Sequence, residues 1–367
     1  MAAWASWPGM RNPVPSHQGH VTSWAVPPRL ETTFPVPRQG GQGIPCGVGS
    51  SAGTAREASG RPAAQPYRGA VGSHRHDGRF APSPTGPLHL GNLRTALLAW
   101  LFARAGGGRF LIRIEDLDAG RSRPEHEAGQ LADLAALGLE SDEPPVRQSE
   151  RAALYDEAIA QLHRESALYR CWCTRAEIRE ASSAPHGPLP EGAYPGTCRD
   201  LTVAQVAERE RSGRPPALRI DARAASVAFA DRLLGHRRDA VDDFVVRRND
   251  AAAAYNLAVA VDDDAQGIGE VVRGADLIDT TARQLYLGRR LRLAPVAHAH
   301  VPLMLGPDGA RLAKRHGAVT LADRMALGET PLQVRSALAA SVGLAEPGEE
   351  PSLEELVARV DRPLVTA

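Results

Sequence analysis

An α/β chain built around an open parallel sheet is what this sequence predicts, and three stretches carry the prediction. Arg79–Leu101 reads as a short strand, a Pro/Gly-rich turn and a helix, with Leu93, Ala96, Leu97, Trp100 and Leu101 at three- and four-residue spacing and Asn92 as the expected N-cap. Arg109–Ile114 (RFLIRI) reads as a buried strand that ends in the acidic loop Glu115-Asp116-Leu117-Asp118. His298–Leu305 reads as the last strand and leads into a basic loop. Open parallel sheets bind ligands beyond the carboxyl ends of their strands, so Arg79 and Glu115, set at two such ends, predict a site.

The remaining elements follow in order. Residues 1–75 hold 10 Pro, 11 Gly, seven Arg and only two acids, Glu31 and Glu57. With no sustained apolar periodicity they read as a disordered tail, either a transit segment or residues ahead of the true start. Pro124 opens a helix through Leu131, Leu134 and Leu137, which Gly138 stops. Between Tyr169 and Val245, residues 170–245 read as an insertion within the sheet domain, with Ala217–Asp221 and Ser226–Asp231 as its own short strands. Phe244–Arg248 is expected to return the chain to the main sheet, and Thr280–Leu291 is a helix. The expected units are therefore a tail (1–75), a catalytic domain (76–330) and a short helical C-terminal tail (331–367), the last with helices near Pro331–Val342 and Leu353–Val360.

Several residues carry chemistry. The turn at 81–91 delivers backbone N–H groups and a positive helix end to one point, which suits a phosphate. His89 sits inside it as a donor, and Gly91 leaves room for a flat base against the backbone. Of the 43 basic side chains, Lys314 is the only lysine. Where arginine has replaced lysine everywhere else, the survivor marks a place that needs a compact point charge rather than a planar fork. Cys171-Trp172-Cys173 and a distant Cys198 offer three thiolates of a zinc site; on donor chemistry alone His186 is a candidate for the fourth position. The acidic and basic side chains balance at 43 each, so no overall basic field draws RNA to the chain; contact must come from a local patch such as Arg211, Arg214, Arg237 and Arg238. No apolar run approaches the roughly 18 residues of a membrane span, and four cysteines without a secretory signal point to a reducing, cytoplasmic setting.

Arg79-Phe80-Ala81-Pro82-Ser83-Pro84-Thr85-Gly86-Pro87-Leu88-His89-Leu90-Gly91-Asn92 resembles the HIGH region of the class I aminoacyl-tRNA synthetases, and Arg311–Arg315 resembles their KMSKS loop, with Lys314 on its second lysine. The wording of the first motif, with Arg113–Asp118 (RIEDLD), is that of the glutamyl branch, and the likeness runs from about Gly78 to about Leu327. It is similar in particular to the short paralogues of that branch, the glutamyl-Q tRNA(Asp) synthetases. The resemblance implies a Rossmann-like catalytic domain with a zinc-binding, RNA-facing insertion. It implies glutamate binding by Arg79, Phe80, Ala81, Pro82, Ser83, Glu115, Tyr255 and Arg273, with Glu115 meeting the amino group; which arginine takes which carboxylate stays open. It implies ATP binding, with Mg²⁺, by Pro82, His89, Gly91, Asn92 and Lys314, with His89 and Lys314 as the catalytic pair. It also assigns one structural zinc to Cys171, Cys173, Tyr194 and Cys198. Asn92 stands in place of the last histidine of HIGH, and Arg311, Ala313 and Arg315 in place of the first lysine and both serines of KMSKS.

Only 40 residues follow Leu327, where a full glutamyl synthetase carries its anticodon-binding domain. The resemblance therefore implies a monomer that activates glutamate without tRNA and transfers it to the queuosine base at the wobble position, docking its catalytic domain on the anticodon arm of tRNA(Asp). Two alternatives are a minimal synthetase charging a tRNA 3′ end and an inactive RNA- or nucleotide-binding relic.

Overall fold

The computed structural model describes residues 76–182, 193–223, 225–306, 308–309, 312, 317 and 319–361. The expected N-terminal tail lies outside the described residues, as do His186 and, in the basic loop, Arg311, Ala313, Lys314 and Arg315. Strand β1 (Gly78–Phe80) leads through the Pro/Gly turn into helix α1 (Leu90–Ala105), and β2 (Phe110–Ile114) is buried at every position. Helix α2 (Pro124–Ala136) starts at a proline, whose missing N–H costs nothing in a first turn, and β3 (Val146–Arg147) and α3 (Ala152–Arg164) follow. Next come β4 (Leu168–Cys171), α4 (Arg175–Ser182), α5 (Val203–Arg211) and β5 (Ala217–Ile220). A hairpin of β6 (Ser226–Asp231) and β7 (Gly235–Ala240) precedes β8 (Val245–Arg247) and α6 (Tyr255–Ala265). The chain closes with β9 (Glu270–Gly274), α7 (Ile278–Leu291), β10 (Ala297–Val301), α8 (Leu321–Ala326), α9 (Pro331–Ala340) and α10 (Leu353–Val357).

Seven strands form the main sheet in the order β3-β2-β1-β9-β10-β6-β7. Every neighbouring pair is parallel except the β6–β7 hairpin. From β1 the chain builds outward to β2 and β3; from β9 it builds the other way to β10. The order therefore reverses between β1 and β9, which is where an open sheet opens a crevice for ligand. No helix among the described residues is long and apolar enough to cross a membrane.

Four expectations are corrected. The strand Ser226–Asp231, read as part of the insertion, pairs with β10 through His298 and Asp231 and extends the main sheet. The Asp231 carboxylate draws it there by accepting the backbone N–H of His300 at 3.2 Å. Val245–Arg247, expected to rejoin the main sheet, pairs antiparallel with β5 instead, completing a separate sheet β4-β5-β8. Helix α1 begins at Leu90 with His89 as N-cap, three residues ahead of the expected cap, Asn92. The helices near 331–360 do not trail away: Val334, Leu338, Ala339, Leu356 and Val360 share one apolar core with Leu90, Leu93, Leu97 and Leu101. That cover explains why α1 is apolar nearly all round, since one side meets the sheet and another meets α9 and α10.

Candidate active site

A cleft of about 450 Å³ lies at the carboxyl ends of β1 and β9. Arg79, Phe80, Ala81, Pro82, Ser83, His89, Gly91, Asn92, Glu115, Tyr255 and Arg273 all line it, so every described residue expected at the amino-acid and nucleotide positions faces one space. Lys314 lies outside the described residues, but the flanks of its loop are pinned at the rim. Leu312 donates its N–H to the carbonyl of Met304, a lining residue, at 2.8 Å, and Leu90 donates to Val319 at 2.7 Å. Thr320 bridges to His89 itself. The basic loop thus leaves and returns beside the phosphate turn.

His89 and Asn92 cap α1 reciprocally: the Asn92 N–H donates to His89 Nδ1 and the His89 N–H to Asn92 Oδ1, both at 3.2 Å. Because Nδ1 accepts, the proton of the neutral ring sits on Nε2. A Cβ on Gly91 would stand 3.1 Å from His89 Cε1 and Nδ1, so the missing side chain also makes room for the imidazole.

The two arginines are anchored by different means. Arg79 Nε donates to Asp263 Oδ1 at 3.1 Å and Nη2 to Oδ2 at 3.5 Å, while Nη1 donates to the Val272 carbonyl at 3.5 Å. These bonds leave one hydrogen on each terminal nitrogen. Arg273 is held by His300, Gln284, Thr281 and the Leu277 carbonyl, and among its nitrogens only Nη1 keeps a spare hydrogen. The sequence expectation of two equal bidentate forks therefore narrows to one end-on fork, from Arg79, and one single donor. Asp263 also accepts from Arg113 Nη1 at 2.7 Å. Burial pushes the Asp263 carboxyl up, but Arg79 and Arg113 more than offset this and hold it at about 2. Burial also raises the Glu115 carboxyl, partly countered by Arg113 and Arg79, so a cationic amino group arriving beside it would be welcomed. Gln130 on α2 holds the turn from below, donating to the Ser83 carbonyl at 3.0 Å and the Gly86 carbonyl at 2.7 Å.

A model of the class I tRNA synthetases (E and Q), catalytic domain, matches residues 77–350. The chain belongs to that family. A synthetase of this family is a ligase, and two of its curated relatives are similar over most of their length. A glutamyl-Q tRNA(Asp) synthetase of Nocardia farcinica is 58% identical over 267 residues, covering 73% of this chain and 85% of the relative. Another of the same name, from Symbiobacterium thermophilum, is 51% identical over 292 residues, 76% of this chain and 90% of the relative. Among solved structures, a glutamate tRNA ligase from Elizabethkingia meningosepticum in complex with its amino acid superposes with a TM-score of 0.67 at 27% identity. That match covers 77% of this chain, which spans 64% of the ligase's length.

Within this synthetase, Cys171, Cys173 and Cys198 bring their sulfurs within 4.8 Å of one another. The Cys173 and Cys198 sulfurs are 3.5 Å apart, and Tyr194 Oη lies 3.4 Å from Cys171 Sγ and 3.6 Å from Cys173 Sγ. A tetrahedral zinc with Zn–S near 2.3 Å and Zn–O near 2.0 Å sets its donors about 3.5–3.8 Å apart, so these edges fit one ion. Hydrogen bonds from Cys173 and Cys198 pull the Cys171 thiol down, whereas the same contacts push Cys173 up and burial raises the Tyr194 phenol. Arg219 lies over the Tyr194 ring, 3.7 Å from its centre, and the Cys198 N–H donates to Tyr194 Oη at 2.8 Å.

Sequence reasoning missed Arg113, Gln130, Asp262, Asp263 and His300. Asp262 and Asp263 were visible within an acidic run, Asp262–Asp264, on an apolar helix stretch, where unpaired carboxylates are costly. Of the Arg-rich patch, Arg214 is occupied by the Trp172 carbonyl and Arg237 pairs with Asp239.

Proposed function

We propose that this chain activates L-glutamate with ATP, without tRNA, and transfers it to the queuosine base at the wobble position of tRNA(Asp). One observation carries the reading: a single cleft at the β1–β9 switch point unites two anchored arginines and the acid Glu115 with the phosphate-binding turn of the family. The names of the relatives support the choice of amino acid and RNA. Free glutamate presents two carboxylates and an ammonium group. Arg79 and Arg273 supply donors for the carboxylates, and Glu115, with Tyr255 beside it, takes the ammonium.

In the first step an oxygen of the α-carboxylate attacks the α-phosphorus of Mg²⁺-ATP in line, and pyrophosphate leaves. Negative charge builds on the phosphate oxygens. The Nε2–H of His89, the N-terminus of α1 and Lys314 are the groups that meet it, so positioning and fixed positive charge do the catalysis. In the second step a hydroxyl of the RNA base attacks the acyl carbon of the glutamyl-adenylate, losing its proton, and AMP leaves. Zinc held by Cys171, Cys173, Cys198 and Tyr194 acts structurally, tying β4 to the 194–198 loop. The enzyme works as a monomer in the cytoplasm, with the insertion turned towards the anticodon arm.

Glutamate-dependent ATP–pyrophosphate exchange with no RNA present is the test. Exchange is expected, followed by incorporation of labelled glutamate into queuosine-bearing tRNA(Asp) at the anticodon. Label on the 3′ end would instead establish a charging enzyme, and no exchange even with tRNA would leave the relic.

A further inference from the structure

Arg273 reaches the cleft from β9 as a buried cation with no carboxylate of any described residue within ion-pair distance. Its Nε donates to His300 Nε2 at 3.0 Å, its Nη1 to Gln284 Oε1 at 2.8 Å, and its Nη2 to Thr281 Oγ1 at 2.8 Å. An arginine N–H can only donate, so His300 Nε2 must accept. The imidazole proton therefore sits on Nδ1, which faces Asp231 Oδ2 at 2.5 Å. Thr281 Oγ1, already accepting from Arg273, turns its own hydrogen towards His300 Nε2 at 3.1 Å. Asp231 is fixed in its turn: its Oδ1 accepts the backbone N–H groups of Leu233 at 3.0 Å, Leu234 at 2.9 Å and His300 at 3.2 Å. Neither Asp231 nor His300 lines the cleft.

The contrast with Arg79 is informative. Asp263 orients Arg79 but also neutralises it. A carboxylate placed on Arg273 would compete with the substrate for the same charge. A neutral imidazole, amide, hydroxyl and carbonyl fix the guanidinium plane and leave its charge to be met by the ligand.

We propose that Asp231, on β6, and His300, on β10, are positioning residues that aim Arg273 at a carboxylate of the amino-acid substrate from outside the cleft. The inference rests on the reading that Arg273 holds glutamate. Asp231 sets the tautomer, His300 passes that choice on as a neutral acceptor, and Arg273 presents its one spare Nη1–H.

Pyrophosphate exchange with the full chain tests this, using His300→Ala, His300→Gln and Asp231→Asn, each checked by thermal melting. His300→Ala removes the acceptor, and Asp231→Asn lets the imidazole proton move to Nε2, where it opposes the Arg273 N–H. Both are expected to raise the apparent KM for glutamate about tenfold, the scale of one lost hydrogen bond to a charged group, with the KM for ATP within about twofold. The amide oxygen of His300→Gln restores a neutral acceptor, so its glutamate KM is expected within about threefold of the wild type. Should His300→Ala fail to fold, Asp231→Asn against His300→Gln gives the same comparison. An unchanged glutamate KM in the folded variants, or an equal rise for ATP, would overturn the relay. A wild-type chain with no glutamate-dependent exchange would instead overturn the functional reading beneath it.

Discussion

Asp263→Asn is the substitution with the largest expected consequence. The carboxylate is 6% exposed and serves two arginines at once, Arg79 at 3.1 Å and Arg113 at 2.7 Å. Its folded value is about 2 against an ordinary 3.8. At 1.36 kcal/mol per unit, that depression corresponds to about 2 kcal/mol of stability. The sign follows from the direction. A carboxyl whose folded value is depressed contributes above about pH 4 and loses its contribution as pH falls towards 2. The variant also leaves two guanidinium groups short of a counter-charge in a buried site, where breaking such a pair costs about 3–5 kcal/mol. The expected loss at pH 7 is therefore about 2–5 kcal/mol, read as a lower urea midpoint with an unchanged slope. The gap between variant and wild type should shrink as the pH is lowered from 4 towards 2. Arg79, freed from its side-on anchor, should swing towards Glu115 and raise the KM for glutamate. A midpoint within about 0.5 kcal/mol of the wild type, the scatter of ordinary surface substitutions, would refute the argument.

Three further outcomes are expected. Gly91→Ala puts a methyl group 3.1 Å from the His89 ring; the ring must shift by a few tenths of an ångström, so kcat for exchange should fall roughly tenfold with the glutamate KM unchanged, and an unaltered kcat would count against His89 on the phosphate. Lys314→Ala should lower turnover by about 10²–10³, the usual scale for one lost charge-stabilising group, and undiminished turnover would remove Lys314 from the mechanism. Cys198→Ser should copurify with substoichiometric zinc by elemental analysis and melt at a lower temperature; a full equivalent of zinc would sink the assignment of the cluster.

Local sequence determined a good deal here. The strand–turn–helix at 79–101 and the buried strand at 109–114 could be read from spacing alone, because apolar periodicity and Pro/Gly punctuation act within a few residues. Cys171 and Cys173, one residue apart, were visible as ligand candidates for a similar reason, whereas Cys198, 25 positions from Cys173, was joined to them by its ligand type alone. The uneven anchoring of the two arginines was not visible. Asp263 lies 184 positions from Arg79, and Asp231 reaches Arg273 only through His300, 69 positions away. Nothing near those residues in the chain announces the pairing. The placement of β6 in the main sheet and β8 in the small one was hidden for the same cause, since an isolated strand carries its alternation but not its neighbour. The cap of α1 went to His89 instead of Asn92 because the imidazole folds over Gly91, a contact that exists only once the turn has closed. The sequence alone thus named many of the groups that line the cleft, though not Asp263 and His300, which anchor its arginines. Tertiary packing, through hydrogen bonds between segments far apart in the chain, decided which of their donors are spent on the scaffold and which remain for a ligand.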